Sequence, residues 1–250
     1  MGILGSLKSD DSIANERDSV GGGGPLDSNA YKFNIALAYV VKAASDALGL
    51  FVSLKGDDGR ELRQTFWMTS GKEKGCKNYY EKDGEKHYLP GYLLANSLAL
   101  LTVGKEIGEL DTEQKVVNVY NKEAKAETPT KVDMVMDLVG KDIVAGVIKQ
   151  IVDKTKKNDA TGQYEPTGET REENEVDKFF RARDNMTTAE IRAQAEAAAF
   201  YDTWVKKWAG NVKNRASKAG SNGTAGAPRA AAGAPAAAQG TKKPTQSLFA

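Results

Sequence analysis

The chain carries one cysteine and one histidine in 250 residues, and that scarcity removes several kinds of chemistry together. Cys76 has no second thiol to pair with, so no disulfide forms within the chain. A zinc site needs about four ligands, mostly Cys and His, and Cys76 and His87 supply two. A Cys–His nucleophilic pair would have to be these same residues in a lysine-rich loop, where a spectator thiol and a surface imidazole explain them more simply. No G-x-x-x-x-G-K-[ST] phosphate loop, G-x-S-x-G elbow or H-E-x-x-H helix is present. The expectation is a protein without catalytic residues, metal or cofactor. Long apolar runs are missing too: no stretch reaches about 18 residues, and the N-terminal MGILGSLKSDD has neither a basic leader nor an apolar core. No membrane association and a cytoplasmic location are expected.

The net charge of +1 conceals a division. From Lys213 onward the chain has Lys213, Arg215, Lys218, Arg229, Lys242 and Lys243 and no carboxylate, which leaves −5 for the first 212 residues. A body of that sign is poorly suited to gripping duplex DNA by charge alone. If it binds nucleic acid, it must concentrate cations locally and rely on stacking.

What is present falls into four regions. Residues 1–26 end in the run Gly21 to Gly24 and Pro25, which reads as a flexible arm. Residues 27–183 open with an alternation over Tyr31, Phe33, Ile35, Leu37 and Tyr39, followed by a strand at Leu48 to Lys55, a turn at Asp57-Asp58-Gly59 and a third strand at Glu61 to Thr69. Pro90 starts a helix that stops at Gly104. Lys115 to Tyr120 and Ile143 to Val152 read as strands, the latter with a bulge near Gly146; Lys154 to Asn174 is a polar excursion and Glu175 to Arg181 its returning strand. Residues 184–210 read as one docking helix, opened by a Thr187/Glu190 capping box and striped by Ile191, Ala195, Ala198, Tyr201, Val205 and Trp208. Residues 211–250, rich in Ala, Gly, Pro and Lys, read as a disordered tail.

This order of elements predicts a mainly β fold, a five-stranded oligonucleotide-binding barrel with an inserted helix, a C-terminal helix and a tail. Such barrels take single strands across the exposed face of strands two and three, where Phe51, Lys55, Arg63 and Trp67 are expected. The next segment interleaves Lys72, Lys74, Lys77, Lys82 and Lys86 with Tyr79, Tyr80, His87, Tyr88 and Tyr92, the mixture that holds a polyanion whose bases stack on rings. Glu73, Glu81, Asp83 and Glu85 nearly balance those lysines, so a solvated hairpin is the rival reading. Adjacent strand residues point oppositely, so one of Tyr79 and Tyr80 is inward. The candidate nucleic-acid contacts are Phe51, Lys55, Arg63, Trp67, Lys72, Lys74, Lys77, Tyr79, Tyr80, Lys86 and Tyr88. Lys154, Lys156 and Lys157 form a second cationic cluster near Tyr164.

The stretches RQTFWMTSGKEKGCKNYY, HYLPGY, LLTVGKE and DKTKKNDATGQYEPTGETREENEVDKFF resemble the single-stranded DNA-binding proteins of podovirus-type tailed bacteriophages, over roughly Asp27 to Arg183. The resemblance implies an oligonucleotide-binding fold that coats single strands in phage DNA replication and recombination, in the host bacterial cytoplasm. It also implies replication partners such as a polymerase, helicase or primase. Proteins of this kind often end in an acidic tail with a terminal aromatic; here Leu248 and Phe249 are present as a candidate docking peptide, but the acids are absent. The runner-up function is a protein-interaction adaptor of the replication or host-takeover machinery.

Overall fold

A computed structural model describes residues 24–121, 124–158, 162 and 164–217. β1 (Asn29–Lys42), β2 (Leu48–Lys55) and β3 (Glu61–Trp67) form an antiparallel meander. Leu50, Val52 and Leu54 on β2 and Leu62 and Phe66 on β3 are buried on its inner face, which leaves Lys55, Arg63 and Trp67 on the outside. The unbroken alternation expected from Tyr31 to Tyr39 is corrected: the register shifts between Ile35 and Leu37. An extra residue there reverses the facing, so Phe33, Ile35 and Ala38 point inward while Tyr39 meets Phe51 on the outer side. The bulge also lets β1 serve two partners along one edge.

A hairpin of β4 (Tyr79–Lys82) and β5 (Glu85–Tyr88) follows β3, turning through Asp83 and Gly84 at φ 53° and 82°. Asp-Gly is a strong hairpin signal, and the segment is the hairpin named as the rival to a binding loop. Helix α1 (Pro90–Val103) ends at Gly104, whose φ of 74° lets its N–H reach the Leu100 carbonyl. β6 (Glu113–Asn121) and β7 (Ala126–Met134) form an arm rooted on β1 at Tyr39 and Val40. β8 (Asp142–Lys157) pairs with the first half of β1 and with β9 (Tyr164–Arg181). The β8–β9 ladder shifts register twice, between Gly146 and Val147 and between Asp153 and Thr155.

The fold is mainly β, and the expected five-stranded barrel is corrected in both count and closure. Eight strands share one large sheet, with β9, β8, β1, β2 and β3 in that order and β6–β7 and β10 (Val212–Asn214) attached. β3 and β9 form no ladder, so the sheet is not closed. At that seam the Val176 N–H donates to Gln64 Oε1 at 2.9 Å, and α1 packs against both strands.

Apolar surface is buried on two sides of the β8–β9 pair. Ile143, Ala145, Val147, Val176 and Phe179 join the main core beneath α1, while Val144, Ile148 and Phe180 face a second cluster around Trp204. Burial on both faces is why Ile143 to Ile148 reads as an almost unbroken apolar run.

The single helix expected over 184–210 is corrected to two, α2 (Thr188–Arg192) and α3 (Ala199–Trp208). Thr187 and Glu190 do form the capping box. Ile191 belongs to the main core and Trp204 to the second cluster, on opposite faces of the sheet. A straight helix could not fill both, and the chain turns at Gln194, φ 54°. Order also continues past Gly210: β10 runs parallel to β8, and the Ser217 N–H donates to Asp153 Oδ2 at 2.9 Å. At the other end, Leu26 is buried and both of its backbone groups bond the Asn174 side chain, so the body begins before Asp27. Residues 1–23 and 218–250, the rest of the expected arm and tail, lie outside the described residues.

Candidate nucleic-acid interface

The outer face of β2 and β3 is a ladder of opposed pairs: Gly49 with Trp67, Phe51 with Thr65, Ser53 with Arg63, Lys55 with Glu61. Trp67 is 45% exposed. Its cross-strand partner has no side chain, and a Cβ at position 49 would stand 3.0 Å from Trp67 Cε3. The glycine therefore makes the space in which the indole lies against the sheet. On the far side of the same strand end, a Cβ at Gly91 would stand 2.2 Å from the Trp67 carbonyl oxygen, so the first turn of α1 is packed hard against the Trp67 backbone. The ring is held from behind and open in front.

Phe51 is half-buried and stacked on Tyr39, ring centroids 4.6 Å apart at 26°. Arg63 is less free than its exposure suggests. Its guanidinium makes two bonds to Glu61, both 2.9 Å, and lies 3.7 Å from Glu127 on the β6–β7 arm. Those Glu61 bonds hold the arginine above its ordinary pKa and, with a bond from Ser53, hold the Glu61 carboxyl below its own. A phosphate at Arg63 must compete with two carboxylates.

Trp67 leads directly into the lysine loop. Ser70 and Lys77 bond each other (Ser70 N–H to the Lys77 carbonyl 2.8 Å; Lys77 N–H to Ser70 Oγ 3.0 Å), and the Lys72 N–H donates to the Ser45 carbonyl at 2.7 Å. The first two close the loop on itself, and the third fastens it to the β1–β2 turn beside the Trp67 end of the sheet. Lys72, Lys74 and Lys77 are exposed. On the β4–β5 hairpin, Tyr79 is half-buried between Lys77 and Lys86, whose ammonium groups stand 5.3 and 5.0 Å from the ring centre. Tyr88, opposite Tyr79, is 54% exposed and packs on Tyr92 at 4.9 Å. Tyr80 is 41% exposed and sits beside His87 on the other face.

The structure thus sets Trp67 beside the lysine loop, with Phe51, Arg63 and Lys55 along the outer β2–β3 face, and holds Tyr79, Lys86 and Tyr88 together on one side of the β4–β5 hairpin into which the loop leads. It does not bring Lys154, Lys156 and Lys157 to the same surface. Lys154 is paired with Glu169 at 2.9 Å, and Lys156 and Lys157 line a shallow depression of their own with Asn158, Glu165 and Pro166 on the β8–β9 ribbon. Among the described residues no hydrogen bond or ion pair links that ribbon tip to β2, β3 or the β4–β5 hairpin. Leu248 and Phe249 lie outside the described residues.

Gly49, Tyr39 and the carboxylates around Arg63 were missed in the sequence. A glycine inside a strand pattern marks a close approach, which was a usable signal for Gly49. Among the described residues no cluster of His, Cys, Asp and Glu could hold a metal ion, and no helix is long and apolar enough to cross a membrane. Compared with protein-family models and with the curated proteins, the chain matches none.

Proposed function

We propose that the chain binds single-stranded DNA without sequence preference and is not an enzyme. The observation that carries this reading is Trp67: an indole laid over a glycine on the outer face of a sheet, 45% exposed, beside a lysine loop fastened to the same sheet end. Rings held open next to exposed ammonium groups suit flexible strands, whose bases can leave one another to stack. The order of elements supports the reading too. The opening three-strand meander followed by a helix is compatible with a relation to oligonucleotide-binding folds, which bind at their second and third strands, although the sheet has eight strands and is not closed. On the resemblance to the phage proteins, the role is protection of single strands during phage replication and recombination in the bacterial cytoplasm. The terminal Leu248-Phe249 is then the docking peptide for a replication partner. Deleting residues 247–250 tests that part: loss of single-strand affinity would overturn it, and retained affinity with loss of partner pulldown is expected.

The main test is a tryptophan-fluorescence titration with oligo-dT and with duplex of equal length. Tighter binding to oligo-dT is expected, and Trp67→Ala should weaken it by about 1–3 kcal/mol. Equal affinity for both forms would sink the reading. The near balance of lysines by Glu73, Glu81, Asp83 and Glu85 favours the adaptor reading instead; salt-insensitive capture of a protein, without binding of oligo-dT, would establish it.

A further inference from the structure

We propose that the chain pairs with a second copy of itself along the outer edge of β6, joining the two β6–β7 arms into one four-stranded sheet about a two-fold axis at Asn118. This pairing does not depend on DNA binding.

The ladder of the arm fixes which backbone groups are free. At the root, where β7 joins β1, the Val135 N–H donates to the Ala38 carbonyl at 2.8 Å. From there the β6–β7 ladder runs without a register shift from Glu113 opposite Met134 to Asn121 opposite Ala126. Successive strand residues direct their N–H and C=O groups to opposite edges, so Asp133, Lys131 and Pro129 point to the same edge as Val135, away from β6. Pro129 fits that place, since it has no N–H to give to a ladder. Their partners on β6 are Gln114, Val116 and Asn118, with Tyr120 next in the alternation, and the backbone groups of these residues point outward. Among the described residues no ladder and no backbone hydrogen bond occupies that edge.

The two edges of the arm are unlike. The β7 edge is blunted by Pro129 with Glu127 and Lys131 to either side, the residue types that deter further pairing. The β6 edge from Val116 to Tyr120 has neither proline nor charge, and Val116, Val117, Val119 and Tyr120 are strong strand formers. Glu113 and Lys115, the charged residues of β6, lie before this stretch and bind each other at 2.8 Å. Val116 is 63% exposed and Tyr120 58%. An open edge with bare apolar side chains is a template for another strand.

The strand that fits is β6 itself. Laid antiparallel about Asn118, Val116 of each copy opposes Tyr120 of the other, Val117 opposes Val119, and Asn118 faces its own counterpart. Pairs of an aromatic with a β-branched residue are favourable cross-strand neighbours, and no like charges are opposed over these positions. The outward backbone groups match as well: Asn118 exchanges its N–H and C=O bonds with its counterpart, and Val116 does so with Tyr120. The same patch serves both copies, so the interface closes at two subunits. A contact of a few residue pairs is at the small end of protein interfaces, which makes the dimer dependent on concentration.

The experiment is sedimentation equilibrium of the full chain over about a hundredfold range of concentration, where a shift from monomer to dimer is expected. Asn118→Pro removes the central outward N–H without touching the β7 ladder, and Val116→Lys sets a cation on the edge. Each should raise the dimer dissociation constant about tenfold or more, with the thermal melt of the dilute protein unchanged. A third variant, Asn118→Cys in a Cys76→Ser background, places two thiols opposite each other with Cα atoms about 5.5 Å apart, within disulfide reach. Oxidation should link it into a covalent dimer, and Gln114→Cys in the same background should stay unlinked. A parent chain that is monomeric at every concentration overturns the proposal, as does a dimer that both edge variants leave intact. Linkage through Gln114→Cys but not Asn118→Cys overturns the register. Oligo-dT binding is measured separately, so its absence would overturn the proposed function and leave the dimer standing.

Discussion

Two tryptophans in this molecule are seated by the same device and put to different uses. Trp67 lies against Gly49, and Trp204 against Gly146, where a Cβ would stand 2.8 Å from Trp204 Cζ2. Lysines stand near aromatic rings in both regions: Lys77 and Lys86 at Tyr79, Lys178 at Phe200, Lys207 and Lys213 at Trp208. Composition does not tell the two apart. The difference is the cover. Trp204 is carried by α3, packs edge-on to Phe180, donates from Nε1 to Asp177 at 2.8 Å and is 3% exposed. Trp67 has the backbone of α1 behind it and nothing from the described residues sealing its front. A satisfied, enclosed indole holds a fold together; an indole fixed at its back and bare in front is available to a ligand.

That contrast is broken most severely at Trp204. Trp204→Ala should remove about 3–5 kcal/mol of stability in urea unfolding, because the emptied space lies between α3 and the sheet. Folded Trp204→Ala should bind oligo-dT as the parent does. A loss of affinity at full stability would mean that the two regions are one site.

A second stability element lies at the buried Arg181, on the opposite face of β9 from Phe180 and Trp204. Asp184 accepts from Arg181 Nε at 2.9 Å and Nη2 at 2.6 Å. Burial works to raise the Asp184 carboxyl, but these bonds, the Met186 N–H and the Arg181 charge overcome it and hold the pKa below the ordinary carboxylate value. A depressed pKa stabilises the fold above the unfolded value, near 3.9, and that contribution is lost as pH falls through the lower folded value. Asp184→Asn should therefore lose about 1.5–3 kcal/mol at pH 7 and show a shallower fall in stability below about pH 4. An identical acid-unfolding curve for parent and variant would show that Asp184 contributes nothing.

On the open side, Gly49→Ala sharpens the comparison without removing the ring. The new methyl meets Thr65 Cγ2 at 2.8 Å, which must shift, and stands 3.0 Å from Trp67 Cε3, so the indole must also give slightly. We expect weaker oligo-dT binding by about 1 kcal/mol, below the loss in Trp67→Ala. Unchanged affinity would show that the seat of the ring is irrelevant to the site.

The smallest effect expected is electrostatic. Neutralising Lys72, Lys74 and Lys77 together should flatten the dependence of log K on log salt by about 2 units, at roughly 0.7 per phosphate contact. An unchanged slope moves the cationic track to Lys154, Lys156 and Lys157. That cluster is the weaker candidate because Lys154 already faces Glu169.

Much of the architecture was legible in local pattern. The bounds of β2 and α1, the capping box at Thr187 and the bulge beside Gly146 follow from alternation, Pro and Gly positions and side-chain spacing, which act over a few residues. The outward facing of Arg63 and Trp67 follows from the buried set Leu62 and Phe66, because strand side chains alternate. Tertiary structure decided the rest. Only the pairing of β1 with both β8 and β7 accounts for the reversal at Ile35, and only two cores on opposite faces of the sheet account for the break between α2 and α3. No local pattern could show that Glu127, 64 residues from Arg63, would claim its guanidinium, or which residue would make the close approach that a glycine at position 49 signals. Periodicity records which side of a strand is apolar; what comes to lie on the other side depends on chain folded back from far away.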